Sequence, residues 1–240
     1  KTAGTSVEVV LSPICGEDDI FTPFSIPESE HTPRNYQGYF NPFPDLKYKI
    51  KKIINEKNIL TAWSIKELLV NFITRKKYYH HIPAWQIKNR ISDNIWKSYY
   101  KFCFERNPYD KVLSGWYWFN HVTQKNISFD NYLKICKTYK LVRDHAVGVW
   151  PYNYLCYTDP ENGNLLVDDI YYYEQLTDSV KMIMEKLQIN RDMNRFPMAK
   201  SGIRNYHNFR EQISNAQSQT ISDLFKEEFI LHGYKQLQQF

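Results

Sequence analysis

The sequence predicts an α/β fold, with a central parallel sheet of about four to five strands flanked by helices. Three observations lead there. Extended apolar runs alternate with stretches of helical periodicity, the pattern of parallel strands joined by crossover helices. A short loop of small and hydroxylated residues, Lys1-Thr2-Ala3-Gly4-Thr5-Ser6, runs straight into the apolar stretch Val7 to Leu11. Further on, the aromatic run Phe102-Cys103-Phe104 ends in Glu105-Arg106-Asn107-Pro108, where proline fixes φ and lacks an N–H, so the chain must leave the ladder. At 240 residues the chain suits one such domain, 1–240, and two full domains would be a squeeze.

Each element has its local reason. Residues 5 to 12 read as the first helix, capped by Thr5 or Ser6. From Cys15 to Pro44 the chain is rich in Pro, Asp, Glu and Ser without helical period, so a long ordered loop is expected. Lys47, Lys49, Lys51, Lys52 and Lys57 then precede an apolar helical pattern through Ile65, Leu68, Leu69 and Phe72, followed by Arg75-Lys76-Lys77. This reads as an amphipathic helical hairpin, either simply solvated or presenting a basic wall to an acidic acceptor or partner. Pro83 opens a short helix over Ala84 to Lys88, and Ser92 to Trp96 form another. Tyr99 to Glu105 read as a buried strand, and the helix after Pro108 turns Val112, Leu113, Trp116 and Tyr117 inward, with Ser114 on its first turns. Residues 129 to 139 are helical, and Asn162-Gly163 is a turn between short extended pieces, the second being Leu165 to Asp168. Ile170 to Tyr173 read as the last strand, and Ser179 to Leu187 as an amphipathic helix. Ile221 to Leu231 form a terminal helix stopped by Gly233.

Composition narrows the function classes. Hydrophobic content of 42% and aromatic content of 16% belong to a globular chain, not a disordered one. A net charge of +5 fits a polyanionic cofactor but is too small to announce a nucleic-acid partner. No apolar run approaches the roughly 20 residues that span a bilayer. The four cysteines, Cys15, Cys103, Cys136 and Cys156, are scattered, which points to reduced thiols and a cytoplasmic setting. No metal-ligand spacing stands out, so no metal is expected.

Two segments carry the chemistry. Glycine in the first loop lets backbone approach a ligand, and the helix start behind it offers N–H groups to an anion. In the second, Arg106 stands at a strand end and Ser114 on the following helix, where a guanidinium fork and a hydroxyl can grip a second phosphate. In this order they describe two separate phosphate grips.

These segments resemble the sulfotransferases that use 3′-phosphoadenosine 5′-phosphosulfate (PAPS), in particular the bacterial and carbohydrate-type branch. In that family a K-T-x-G-T-S loop binds the 5′-phosphosulfate, and an F-x-x-x-R-N-P-[YFW]-[DE]-[KR]-x-x-S segment binds the 3′-phosphate. Lys1 to Ser6 and Phe102 to Ser114 match the two. The resemblance continues through Asp18 to Pro23, His81-Ile82-Pro83-Ala84, Val167-Asp168 with Glu174, and Lys200-Ser201-Gly202. It implies a P-loop-like three-layer fold and a strand upstream of Lys1; it does not extend to the stretch near 45–78, which reads as a helical insertion near the acceptor site.

The resemblance also assigns roles. Lys1 would stabilise charge on the leaving 5′-phosphate, and Thr2, Ala3, Gly4, Thr5 and Ser6 would hold the phosphosulfate. Arg106 and Ser114 would hold the 3′-phosphate, with Lys200, Ser201, Gly202 and Arg204 in a late loop over the nucleotide. The acceptor, a small molecule or carbohydrate, must lose a proton, which calls for a base titrating near neutrality. Of the seven histidines, His81 matches the place of the family's catalytic histidine, followed by His80 and His31. His145, His207 and His232 read as surface or capping residues, while Asp18, Asp19 and Glu174 are carboxylate alternatives. The function expected is sulfuryl transfer from PAPS to a hydroxyl, or an amine, of a sugar or small natural product, releasing 3′-phosphoadenosine 5′-phosphate (PAP). The rivals are a catalytically inactive module binding a polyanion or glycan, and a nucleotide-dependent phosphotransferase. The latter would carry G-x-x-x-x-G-K-[ST], whereas here the lysine precedes the glycine.

Overall fold

Helix α1 (Gly4–Leu11) follows directly on the N-terminal loop and tightens into a 3₁₀ turn at Ser12–Ile14. The expected first helix is therefore present, but it starts one residue earlier than Thr5. Thr5 and Ser6 lie within it and are not its caps, because Ala3, in left-handed backbone at φ 61°, makes the turn ahead of it. The computed structural model describes residues 2–24, 31–56, 60–142, 151–189 and 208–237, with backbone alone at 52–53, 55–56, 60–64 and 139–142.

The chain divides into two units. One comprises residues 7–102 and 155–169. Within it the predicted long loop is held by side chains instead of ladders. Phe21 and Arg34 form an isolated antiparallel bridge, the Arg34 guanidinium lies 4.2 Å over the Phe21 ring, and the Asn35 amide donates to the carbonyls of Glu17 and Asp19. The predicted helical hairpin is α2 (Phe43–Glu56) packed on α3 (Leu60–Ile73). Its base is fixed by Asp45 and Arg90, both buried, paired at 2.6 Å with the guanidinium 4.0 Å over Phe40. The predicted basic wall is partly spent on the protein itself: Lys49 is buried, and Lys51 pairs with Glu161 at 3.3 Å. Helices α4 (Ala84–Lys88) and α5 (Asp93–Ser98) start where Pro83 and Ser92 stand at their N-caps, the Ser92 hydroxyl accepting from the Ile95 N–H.

The other unit comprises residues 1–6, 103–154 and 170–240. Strands β1 (Phe102–Glu105) and β2 (Asp169–Tyr172) form a small parallel pair. Among the described residues this is a two-stranded sheet, not the four or five strands expected. One extended piece was lost for a visible reason: Leu165 makes only an isolated bridge to Thr158, and Asp168 spends its carboxylate on the Lys101 N–H instead of joining a ladder. Helix α6 (Pro108–Thr123) turns Tyr109, Val112 and Leu113 into the core, with Trp116 and Tyr117 only half-buried. Helix α7 (Phe129–Val142) brings Tyr132 and Cys136 to it, the short α8 (Tyr154–Tyr157) leads the chain back into the first unit, and α9 (Leu176–Lys186) buries Val180 and Ile183. The predicted terminal helix is two, α10 (Asn215–Leu224) and α11 (Lys226–His232), broken at the fully buried Phe225 and stopped by Gly233 at φ 64°.

Helices α6 and α7 approach closely at Gly115. A methyl there would meet the buried Tyr132 hydroxyl at 2.5 Å and the Pro151 ring carbon at 3.6 Å. Beneath α6 lies a fully buried ion triad. The Lys111 ammonium donates to Glu105 at 2.7 Å and to Glu228 at 2.5 Å, and Asn153 satisfies both carboxylates, through its side chain on Glu105 and its N–H on Glu228. Burial alone would lower the Lys111 pKa, but the two carboxylates outweigh it and hold it above the ordinary value.

Candidate functional site

The first of the two expected grips falls at the start of α1. Ala3 in left-handed backbone turns the loop, a conformation costing about 1–2 kcal/mol in a non-glycine residue, and such strain collects at ligand clamps. Gly4 is exposed, and a Cβ on it would meet nothing within 4 Å, so the backbone at the helix start lies open to a ligand. Thr2 and Thr5 are half-buried beside it and Ser6 is buried. An eight-residue helix with no acidic residue in its first turn gives this loop the N–H donors and positive dipole end that suit an oxyanion. Lys1 lies outside the described residues, as do Lys200, Ser201, Gly202 and Arg204 of the expected covering loop, and His145 and His207.

The second expected grip falls where β1 hands over to α6. Arg106 is buried and tightly oriented. Its Nε and Nη2 both point at one carboxylate oxygen of Asp110, at 2.6 and 2.5 Å, and its planar head lies 3.9 Å over the Tyr173 ring. Asn107 caps the helix, its side-chain oxygen accepting from the Tyr109 N–H at 3.0 Å. Its own N–H donates to Glu174 at 2.7 Å. Ser114 is half-buried on α6 two turns further on. Thr2 to Ser6, Arg106 and Ser114 all belong to the same unit.

The histidine candidates belong to the other unit, and the three are brought into one aromatic cluster. His31 is buried, its Nε2 lies 2.9 Å from a carboxylate oxygen of Glu8 on α1, and its ring stacks on Phe24 at 3.8 Å. The opposite edge of that cluster is His80, 6.0 Å from Phe24 and 3.7 Å from the His81 ring. His81 sits in left-handed backbone at φ 62°. Burial raises the Glu8 pKa, with the His31 hydrogen bond and charge opposing it. Sequence reasoning passed over Glu8. The signal available was an acid on the second turn of the first helix, facing a part of the chain too remote in sequence to assign.

Other expectations change. Glu174, a carboxylate alternative for the base, is exposed and accepts from the Asn107 N–H and the Tyr234 hydroxyl. Asp19 accepts from the Gly16 N–H within its own loop. His232 is not a surface residue; its side chain is buried 3.9 Å from Glu105, and burial lowers its pKa to about 4. On α2 an open apolar groove of about 880 Å³ is lined by Phe43, Leu46, Ile50 and Ile54, with Lys47 and Lys51 on its rim.

Comparison with known proteins adds to this geometry. A model of the sulfotransferase family matches residues 1–235. An uncharacterised protein of Archaeoglobus fulgidus is 32% identical over 115 residues, 47% of this chain and 88% of its own length. No solved structure matches. No helix among the described residues is long and apolar enough to cross a membrane.

Proposed function

The chain belongs to the sulfotransferase family, and on that premise we propose that it transfers a sulfuryl group from PAPS to a hydroxyl of a sugar or small natural product. The observation that carries this reading is the pair of anion grips in one unit, the open α1 start with left-handed Ala3 and the oriented Arg106. Two grips suit a nucleotide with phosphates at both its 5′ and 3′ positions. When bound, PAPS supplies the sulfuryl group and carries away the electrons of the broken S–O bond on its phosphate.

The chain's own residues position and stabilise, as loose transfer chemistry requires. Thr2, Gly4, Thr5 and Ser6 direct N–H and hydroxyl donors at the 5′ end, and Lys1 supplies the cation there. Arg106 and Ser114 hold the 3′-phosphate, with Lys200, Ser201, Gly202 and Arg204 closing over the nucleotide. His31 accepts the acceptor's proton, oriented by Glu8, which stabilises the imidazolium that forms. His81 and His80, joined to it through Phe24, line the acceptor side. The same helix α1 that opens with the phosphosulfate loop carries Glu8, which couples the two functions in sequence.

The test is an acceptor screen with labelled PAPS, run beside calorimetry of PAP and 5′-AMP. Label transfer to a hydroxyl compound and a clear preference for PAP are expected. Equal affinity for the two nucleotides, with no transfer to any acceptor, would overturn the proposal.

A further inference from the structure

We infer that Glu174 is a positioning residue for the Arg106 grip and sets the preference for a 3′-phosphorylated nucleotide; this rests on the 3′-phosphate reading above. The residues leaving β2 hold the residues leaving β1 one to one. Tyr173 lies under the Arg106 guanidinium at 3.9 Å, and the next residue, Glu174, accepts the N–H of the next residue, Asn107, at 2.7 Å. The second oxygen of Glu174 accepts from the Tyr234 hydroxyl at 3.1 Å, so its place is fixed from the C-terminal segment as well.

An exposed carboxylate beside a dianion site is electrostatically unfavourable, which makes its structural task informative. Here its charge faces donors. Both carboxylate oxygens are engaged, one by backbone and one by a phenol, and the bond to Asn107 ties down the turn from which Arg106 projects. Asn107 in turn caps α6 through Tyr109 N–H, and Asp110 on the first turn of α6 takes the Nε and Nη2 of Arg106. Loosening Asn107 therefore loosens both the arginine's root and the carboxylate that orients its head. Positioning of this sort is felt by the contact the arginine makes and not by the rest of the nucleotide.

The experiment compares PAP and 5′-AMP affinities by calorimetry for the wild type, Glu174→Ala, Glu174→Gln and Tyr234→Phe, and repeats Glu174→Ala in an Arg106→Ala background. Glu174→Ala is expected to weaken PAP about tenfold and 5′-AMP less than about twofold. Glu174→Gln keeps an oxygen for the Asn107 N–H and should restore most of the loss, while Tyr234→Phe should show a smaller loss in the same direction. Without Arg106, Glu174→Ala should add less than about twofold, because the group it positions is gone. Equal losses for both nucleotides, no loss at all, or the same loss with and without Arg106 would overturn the assignment while leaving the 3′-phosphate reading intact. A wild type that does not prefer PAP would overturn both.

Discussion

Glu8 and His31 form a carboxylate–imidazole pair, 2.9 Å apart, with the histidine side chain 1% exposed and the glutamate 31%. Twenty-three residues separate them, and the pairing joins the first helix to the Pro-rich loop. Such a pair fixes the ring and selects its tautomer, demands placed on a general base.

His31→Ala should therefore lower kcat by about 10²–10⁴-fold and abolish the acidic limb of the pH–rate profile. Activity in the wild type should fall as pH drops, since an imidazole that already carries a proton cannot accept the acceptor's. His81→Ala should leave that limb in place. Sulfate-transfer assays across pH decide it, and the reverse result would assign the base to His81.

Lys1→Ala should depress kcat much more than it weakens PAP binding, because a cation at the leaving oxygen matters most as that oxygen becomes negative. Steady-state kinetics with varied PAPS gives the answer. A raised KM with unchanged kcat would make Lys1 a simple binding residue.

Gly115→Ala should destabilise the protein by about 1–3 kcal/mol, because the new methyl meets the Tyr132 hydroxyl, itself buried and unable to swing aside. A lowered thermal midpoint in calorimetry is the expected readout. Exposed Gly4, with open space at its Cβ position, offers no such clash, so Gly4→Ala should alter nucleotide binding and not stability.

His232 should make stability fall in mild acid. Burial lowers its folded pKa to about 4, below the ordinary 6.5, so the unfolded chain takes up a proton first as pH falls. The stability it contributes is full above pH 6.5 and is lost towards pH 4. Glu228 works the other way: burial and Glu105 raise it to about 7, so its contribution is lost as pH rises from 4.5 through 7. Denaturant titrations of wild type and His232→Gln isolate the histidine, since Glu228 is common to both. A stability difference that stays constant from pH 7 to 4 would refute the assignment.

Much of this was legible in local signals. Ser92 as a cap, Pro108 at the strand exit, the hairpin of α2 and α3, and Gly233 as a stop all rest on chemistry within a few residues. What escaped was non-local. Arg106 could be read as a phosphate ligand, but not that Asp110, Tyr173 and Glu174 would orient its turn. His31 was visible as a histidine in a loop, but not its carboxylate on α1. His232 looked like a surface residue because the acids around it, Glu105 and Glu228, are drawn from different parts of the chain. Among the described residues the sheet has fewer strands than expected, and just ahead of β1 the Lys101 N–H is satisfied by the Asp168 side chain and not by a ladder bond.

The unit that holds the start of α1 and Arg106 is assembled from the first six residues, a middle stretch and residues 170–240. During synthesis, then, its opening loop leaves the ribosome long before Glu228 arrives to share Lys111 with Glu105, or Tyr234 to fix Glu174. The other unit is complete once residue 169 has emerged. Until α11 appears, the nascent chain carries a lysine destined for full burial with only half its counter-charge, so this unit closes later than the other and exposes its apolar surfaces to chaperones and proteases in the meantime.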